Sequence, residues 1–333
     1  MKGRIALRNH IAALALALGA LSFGVGAQAQ APGQPGNPGT VSLLPPPDAP
    51  PPHPTPPGPY AVTIEANPGL PTHTIYRPAD LAPFTGARRL PIIAWGNGAC
   101  SNAGLLFQTF LTEIASHGFV VVVSGPKDAP LPAFARQPAP PPPSPTAAPP
   151  PPMTKDADME TGINWAVQEN ERASSPYFHR LNPDKIAVMG QSCGGLQAIV
   201  NSADPRVKTS IIWNSGTFSD SAFARQLSGA TKQSLAAIHA PVAFINGGPH
   251  DAAYVNAIDD VSRINGPPVF LGWINVGHGG TYNQPGGGWF GQVGVAWLEW
   301  RLNGDEEAAK LFVGPTCGLC VDPTWHVQKK GME

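Results

Sequence analysis

Six short runs of mostly apolar residues divide the chain from residue 90 onward. They lie at residues 90–95, 119–123, 185–189, 207–213, 241–245 and 268–273. Each run has the length and composition of one β-strand. Because continuous apolar strands are typical of sheets that are covered on both faces, the pattern predicts a mostly parallel sheet.

Helical spacing separates several of these runs. Five apolar residues are mostly three or four positions apart, and Gly118 follows where such a helix ends: Leu105, Leu106, Phe110, Leu111 and Ile114. Residues 156–171 predict a second helix, whose first turn carries acidic residues. Strands that alternate with helices in this way predict an α/β fold with helices on both faces of the sheet.

The first 58 residues have a different character. Three basic residues precede an apolar run at residues 11–25, and Ala-Gln-Ala follows at residues 27–29, which is the pattern of a signal peptide cleaved after residue 29. A membrane anchor is the alternative, but the run is shorter than the roughly 20 residues that span a bilayer. We therefore expect a secreted or periplasmic protein, with no membrane span in its mature form.

Proline-rich stretches define the domain boundaries. Residues 30–58 are crowded with proline and glycine, so we expect an extended, disordered tether there. A second tract, at about residues 127–153, interrupts the folded part and predicts an exposed insertion. The remainder, residues 59–333, then forms a single domain that ends in a Cys-x-x-Cys tail.

The net charge of the chain bears on the class of partner. The chain carries a net charge of −1, and removal of the three basic residues of the signal peptide leaves −4. This balance does not indicate a nucleic-acid partner. The sequence gives no indication of the oligomeric state.

The sequence Gly-Gln-Ser-Cys-Gly at residues 190–194 follows one apolar run and opens a helix-compatible stretch. Ser192 therefore sits where a strand turns sharply into a helix, in the pattern called a nucleophile elbow. Glycines flank it because side chains there would collide with the adjacent strand and helix.

A carboxylate and a histidine follow two later strands. Asp251 comes just after the run at residues 241–245, and His278 lies in Gly-His-Gly-Gly after the last run. Both positions fall at the carboxyl ends of parallel strands, where catalytic groups collect. Asp259 and Asp260 are the competing acids, interpreted as a solvated helix face, and His250 is the competing base, interpreted as a loop residue.

Residues 60–313 resemble the α/β-hydrolase family through this order of serine, acid and histidine. The resemblance implies that Ser192 is the nucleophile, Asp251 the acid and His278 the base. It also implies an oxyanion hole formed by the N–H groups of Cys193 and Ala99. Asn97 and Gly98 fall where the family has His-Gly, so Asn97 departs from the family pattern.

Four cysteines in a secreted chain allow three disulfide connectivities. Cys100 follows the oxyanion turn and Cys193 follows the nucleophile, and these turns must converge on one oxygen atom, so we predict that the two pair. For Cys317 and Cys320 we expect a local disulfide. A redox dithiol would lack a thioredoxin-like context, and a zinc site would lack two further ligands.

The resemblance implies a secreted serine esterase that cleaves small-molecule or polymeric carboxylic esters without metal or cofactor, most similar to the dienelactone-hydrolase and polyester-hydrolase branch. The short segment before residue 241 leaves room only for a minimal lid. The candidates for substrate contact are Asn97, Gly98, Trp213, Tyr254, Tyr282, Trp289 and Phe290. The alternatives are a serine peptidase or amidase on the same fold, and a non-catalytic polymer-binding protein that retains the fold.

Overall fold

A nine-stranded mixed sheet forms the centre of the molecule, in the order β1-β2-β4-β3-β5-β6-β7-β8-β9. The computed structural model describes residues 42–135, 152–219 and 226–332. The strands are β1 (Val62–Asn67), β2 (Leu70–Pro78), β3 (Leu90–Gly96), β4 (Val120–Ser124), β5 (Leu181–Gln191), β6 (Val207–Trp213), β7 (Val242–Asn246), β8 (Val269–Trp273) and β9 (His326–Lys330).

Helices cover both faces of this sheet. They are α1 (Gln108–Ser116), α2 (Asp156–Glu171), α3 (Cys193–Asn201), α4 (Tyr254–Arg263), α5 (Gly288–Leu298), α6 (Glu306–Ala309) and α7 (Gly318–Val321). Side chains such as Ile92 and Val122 pack with α2, α3 and α4 in one apolar core. Their neighbours Ile93 and Val121 pack with α1 and α5 in a second core on the opposite face. The predicted α/β architecture is thereby confirmed.

The six predicted strands are β3 to β8, and they are parallel to one another. Three further strands, β1, β2 and β9, add antiparallel edges. The six-run pattern missed them because β1 and β9 are only partly buried, and because all three strands mix apolar with polar residues. Antiparallel edges of this kind lack the continuous apolar run that marks a buried parallel strand.

The chain order changes direction between two neighbouring strands of the sheet. From β3 the chain adds β4 on one side and then returns to add β5 on the other. Such a switch point leaves a crevice at the carboxyl ends of the strands, where ligands of α/β proteins bind. The turns that follow β3 and β5 contain Gly98–Cys100 and Ser192, so the fold brings these two segments together.

The proline-rich segments are described only in part. The predicted signal peptide, residues 1–29, lies outside the described residues, as do residues 30–41 of the tether and residues 136–151 of the insertion between β4 and α2. Residues 42–58 contain no helix or strand. They nevertheless contact the domain, for example where the Gly58 N–H donates to Ser116 Oγ at 3.0 Å. In the described part of the chain, no helix is both long and apolar enough to cross a membrane.

One interpretation of the sequence is wrong at α4. Asp259 is partly exposed, but Asp260 is fully buried because it lies on the side of the helix that faces the sheet. Its carboxylate accepts hydrogen bonds from Thr217 N and Oγ1 and from Lys232 Nζ, each at 2.6 Å. Burial raises the pKa of Asp260, and the opposing effects of Lys232 and Thr217 only partly offset it. The buried carboxylate fixes the segment after β6 onto α4.

Candidate active site

Ser192 occupies a sharp turn between β5 and α3. Its backbone has φ 55° and ψ −117°, in a region that residues with side chains rarely adopt. Its N–H donates to the Trp213 carbonyl at 2.9 Å. A Cβ atom added at Gly190 would lie 2.2 Å from the Gly194 oxygen, and one at Gly194 would lie 1.9 Å from the Gly96 oxygen. The two glycines therefore permit the backbone contact that holds the turn.

The three side chains expected at one edge of the sheet do lie together. The Ser192 hydroxyl and His278 Nε2 are 3.0 Å apart, and His278 Nδ1 and Asp251 Oδ1 are 2.6 Å apart. His278 is 7% exposed and Asp251 is 4% exposed. The imidazole is thus held between a hydroxyl at one nitrogen and a buried carboxylate at the other. His250, the competing base, lies on the surface of the preceding loop.

Asp251 is buried but well supplied with hydrogen-bond donors. Its Oδ2 accepts from Gly247 N at 3.0 Å, and its Oδ1 accepts from Ala253 N at 2.9 Å. Burial alone would raise the pKa of Asp251, but the charge and hydrogen bond of His278, with these N–H groups, lower it below the ordinary carboxyl value. Asp251 is therefore ionised at neutral pH and can stabilise a positively charged imidazole.

A fourth side chain, absent from the sequence-based assignments, completes this network. Asn214 follows β6, is fully buried and has φ 41°. Its Nδ2 donates to Asp251 Oδ2 at 2.7 Å and to the Gly277 carbonyl at 3.2 Å, and its Oδ1 accepts from the Tyr282 hydroxyl. Asn214 thus links the acid to the loop that carries His278. Its position at the carboxyl end of a parallel strand is the signal that could have identified it.

The turn after β3 is held from within by Asn97. The Asn97 Oδ1 accepts from Trp95 Nε1 at 2.9 Å, and its Nδ2 donates to the carbonyls of Ser101, Ala103 and Ser124, each at 3.1 Å. This side chain is fully buried. The structure therefore gives Asn97 a supporting position inside the turn and leaves it no contact with a substrate.

Two residues of that turn have left-handed backbones, Ala99 at φ 55° and Cys100 at φ 46°. Ala99 is exposed, whereas Gly98 is buried, and a Cβ atom at Gly98 would lie 2.1 Å from Gln191 Oε1. The Gln191 Nε2 group donates to the His278 carbonyl at 3.1 Å. Gln191 therefore connects the turn after β3 to the histidine loop, beside the serine.

Both predicted disulfides are present. Cys100 and Cys193 are bonded, with their Cα atoms 5.2 Å apart, and Cys317 is bonded to Cys320. The first bond joins the Gly98–Cys100 turn to the first residue of α3. The N–H groups in the first turn of an α-helix have no intrahelical acceptor, so the Cys193 N–H is free to donate outward. The disulfide thus fixes this donor relative to Ala99.

The aromatic candidates for substrate contact divide into two groups. Trp213, Tyr282 and Phe290 belong to the apolar core, with at most 2% of each exposed. They pack on one another at ring distances of 5.3 to 6.2 Å. Their assignment to the substrate surface is therefore corrected to core packing. Tyr254 and Trp289 are half-buried and remain candidates.

Among the described residues, no group of three or more His, Cys, Asp or Glu side chains is arranged to hold a metal ion. The hydrogen-bonding groups at this edge are hydroxyls, an imidazole, a carboxylate, the side-chain amides of Asn214 and Gln191, and backbone amides. A scan against protein-family models and a search of curated proteins both returned no match.

The two disulfides differ in the length of chain that they close. Cys100 and Cys193 are 93 positions apart, against three for Cys317 and Cys320. Since closing a longer loop removes more entropy from the unfolded chain, we expect the paired change Cys100→Ser and Cys193→Ser to lower the free energy of unfolding by about 2–5 kcal/mol. Denaturant unfolding measures this loss.

The matched control is the paired change Cys317→Ser and Cys320→Ser, which should cost clearly less. Equal losses in the two variants, or no loss in the first, would contradict this account of the Cys100–Cys193 bond.

Proposed function

We propose that this protein is a serine hydrolase that cleaves carboxylic esters through an acyl-enzyme intermediate, on an α/β-hydrolase fold. The observation that carries the proposal is the hydrogen-bonded array in which His278 Nε2 lies 3.0 Å from Ser192 Oγ while Asp251 accepts from His278 Nδ1. A serine hydroxyl is a weak nucleophile until a histidine takes its proton, and this array provides that base.

The first half of the proposed reaction forms the acyl-enzyme. Ser192 Oγ attacks the ester carbonyl carbon as its proton passes to His278 Nε2, and Asp251 stabilises the imidazolium. The oxyanion of the tetrahedral intermediate accepts from the N–H groups of Cys193 and Ala99, and one such donor is worth about 10²–10³ in kcat. His278 then gives its proton to the alcohol oxygen, which leaves.

The second half releases the acid. A water molecule attacks the acyl carbon while His278 accepts its proton, and the proton then returns to Ser192 Oγ as the ester bond to the serine breaks. Ser192, His278 and Asp251 already lie within hydrogen-bond reach of one another in the order that these proton transfers need. The Cys100–Cys193 bond holds the two oxyanion donors in place, so little reorganisation is needed as charge develops.

The disulfides support extracellular or periplasmic substrates for this function. Two disulfides are typical of proteins that fold in an oxidising compartment. The signal peptide predicted at residues 1–29 belongs to the same proposal. Ser192 is partly exposed at the sheet edge, which fits ester substrates, either small or polymeric, outside the cytoplasm.

A peptidase or amidase would use the same side chains, and a polymer-binding protein would need none of them. We therefore test wild type and Ser192→Ala on p-nitrophenyl esters and on p-nitroanilide peptides. We expect ester turnover that falls by about 10³-fold or more in Ser192→Ala, because the variant lacks the nucleophile.

Peptide cleavage without ester cleavage would favour the peptidase instead. If wild type turns over neither substrate and does not react with a fluorophosphonate, the binding protein is the better account. The control for Ser192→Ala is the double variant Cys317→Ser and Cys320→Ser, because these two cysteines are distant from Ser192 in the sequence.

A second prediction concerns Asn214, which positions Asp251 and the His278 loop. We expect Asn214→Gly to lower kcat about 10- to 100-fold with little change in KM, because glycine tolerates the positive φ but removes all three hydrogen bonds of the side chain. Tyr282→Phe removes only one hydroxyl donor and should have a smaller effect in the same direction. Steady-state kinetics on a p-nitrophenyl ester measures both.

Circular dichroism of the two variants serves as the folding control. A rise in KM with unchanged kcat in Asn214→Gly would contradict a positioning role and indicate substrate contact instead.

A further inference from the structure

The described part of the proline-rich segment lies along the loop that carries His278. We call residues 43–55 the strap. Its C-terminal end is fixed by a hydrogen bond from the Thr55 hydroxyl to the Gly288 carbonyl, at 2.9 Å. The His53 ring stacks on Trp289 at a centroid distance of 3.7 Å and an interplanar angle of 15°. The strap is therefore seated on the domain by specific contacts.

The N-terminal end of the strap lies against Gly277 and Gly279, the residues on both sides of His278. A Cβ atom added at Gly279 would lie 2.1 Å from the Leu43 carbonyl oxygen, and one at Gly277 would lie 3.5 Å from the Leu44 carbonyl oxygen. Gly279 has no positive φ, so its own backbone conformation does not demand glycine. The close passage of the strap is the physical reason for a glycine directly after His278.

Two apolar side chains of the strap remain exposed at this place, Leu43 at 40% and Leu44 at 78%. The Leu43 carbonyl lies against Gly279, whose Cα atom is about 3.8 Å from that of His278, and the His278 imidazole lies 3.0 Å from the Ser192 hydroxyl. The path from Leu43 through His278 to the nucleophile is therefore on the order of 10–15 Å. A short acyl group held at Ser192 does not extend that far, but a long alkyl arm does.

We propose that the strap forms one wall of the substrate site and that Leu43 and Leu44 bind the long apolar arm of an ester whose carbonyl is held at Ser192. This inference rests on the proposed esterase function and adds a determinant of its specificity. Burying a leucine side chain against an alkyl chain removes apolar area from water. This contact therefore raises kcat/KM for long esters relative to short ones. The strap, although it has the composition of a tether, thus forms part of the proposed substrate site.

The test compares kcat/KM for two pairs of esters in the full-length protein. One pair varies the acyl arm, p-nitrophenyl octanoate against acetate, and the other varies the alcohol arm, octyl acetate against ethyl acetate. In the variant with Leu43→Ser and Leu44→Ser, we expect the long-to-short ratio of at least one pair to fall about tenfold. The variant should keep the wild-type melting temperature, because both side chains are exposed.

Val321→Ser is the matched control, since Val321 is an exposed apolar residue of α7 at 63% exposure. Its ratios should equal those of wild type. Unchanged ratios in both pairs for the double variant would overturn the proposal. An equal loss on long and short esters would also overturn it, because that result indicates a disturbed histidine loop rather than lost substrate contact.

Failure of the proposed function gives a different result. In that case wild type itself hydrolyses none of the four esters, and Ser192→Ala behaves identically. Failure of the strap proposal alone leaves a wild type that hydrolyses the short esters through Ser192, with ratios insensitive to Leu43 and Leu44.

Discussion

The close backbone contact between the start of α3 and the end of β3 determines the geometry of the candidate site. Gly194 approaches the Gly96 carbonyl so closely that no side chain fits between them. Because α3 begins directly after the turn, this contact forces Ser192 into a backbone conformation that extended strands and helices do not use. The hydroxyl is thereby presented at the sheet edge, and the adjacent disulfide locks the same two segments covalently.

A buried polar network then gives the imidazole its orientation. A carboxylate in an apolar interior is costly unless it is hydrogen-bonded and paired, and Asp251 receives donors from Asn214, Gly247, Ala253 and His278. Burial and the charge of Asp251 also raise the pKa of Tyr282 well above its ordinary value, so its hydroxyl remains a neutral donor to Asn214. The network orients the acid, the base and the loop between them as one unit.

The central strands and two residues of the candidate site could be predicted from the sequence, whereas Asn214 and the burial of Tyr282 could not. The six central strands could be predicted because strands covered on both faces are continuously apolar, and the positions of Asp251 and His278 followed from the ends of two of them. Asn214 also follows the carboxyl end of a parallel strand, but no sequence motif marks it, so it could not be singled out. The burial of Tyr282 could not be predicted, because exposure cannot be read from a single aromatic residue in a glycine-rich loop.

The N-terminal segment shows a further limit. Its composition predicts an extended, disordered tether, whereas residues 42–58, which contain no helix or strand, contact the domain at several points. Composition does not reveal where such a segment lies, because its contacts are made by single residues such as His53 and Thr55. Gly279, directly after His278, indicates a close passage of the strap, but this can be recognised only once the path of the strap is known.

The claim on which the account depends is that Ser192 itself becomes acylated. The most direct measurement is peptide mapping by mass spectrometry after wild type is mixed with p-nitrophenyl acetate and rapidly quenched in acid. Acylation of Ser192 places one acetyl group per chain on the peptide that contains this serine, and none on that peptide when residue 192 is alanine. Ester hydrolysis by a wild type whose Ser192 stays unmodified, with the acetyl group on another residue, would contradict it.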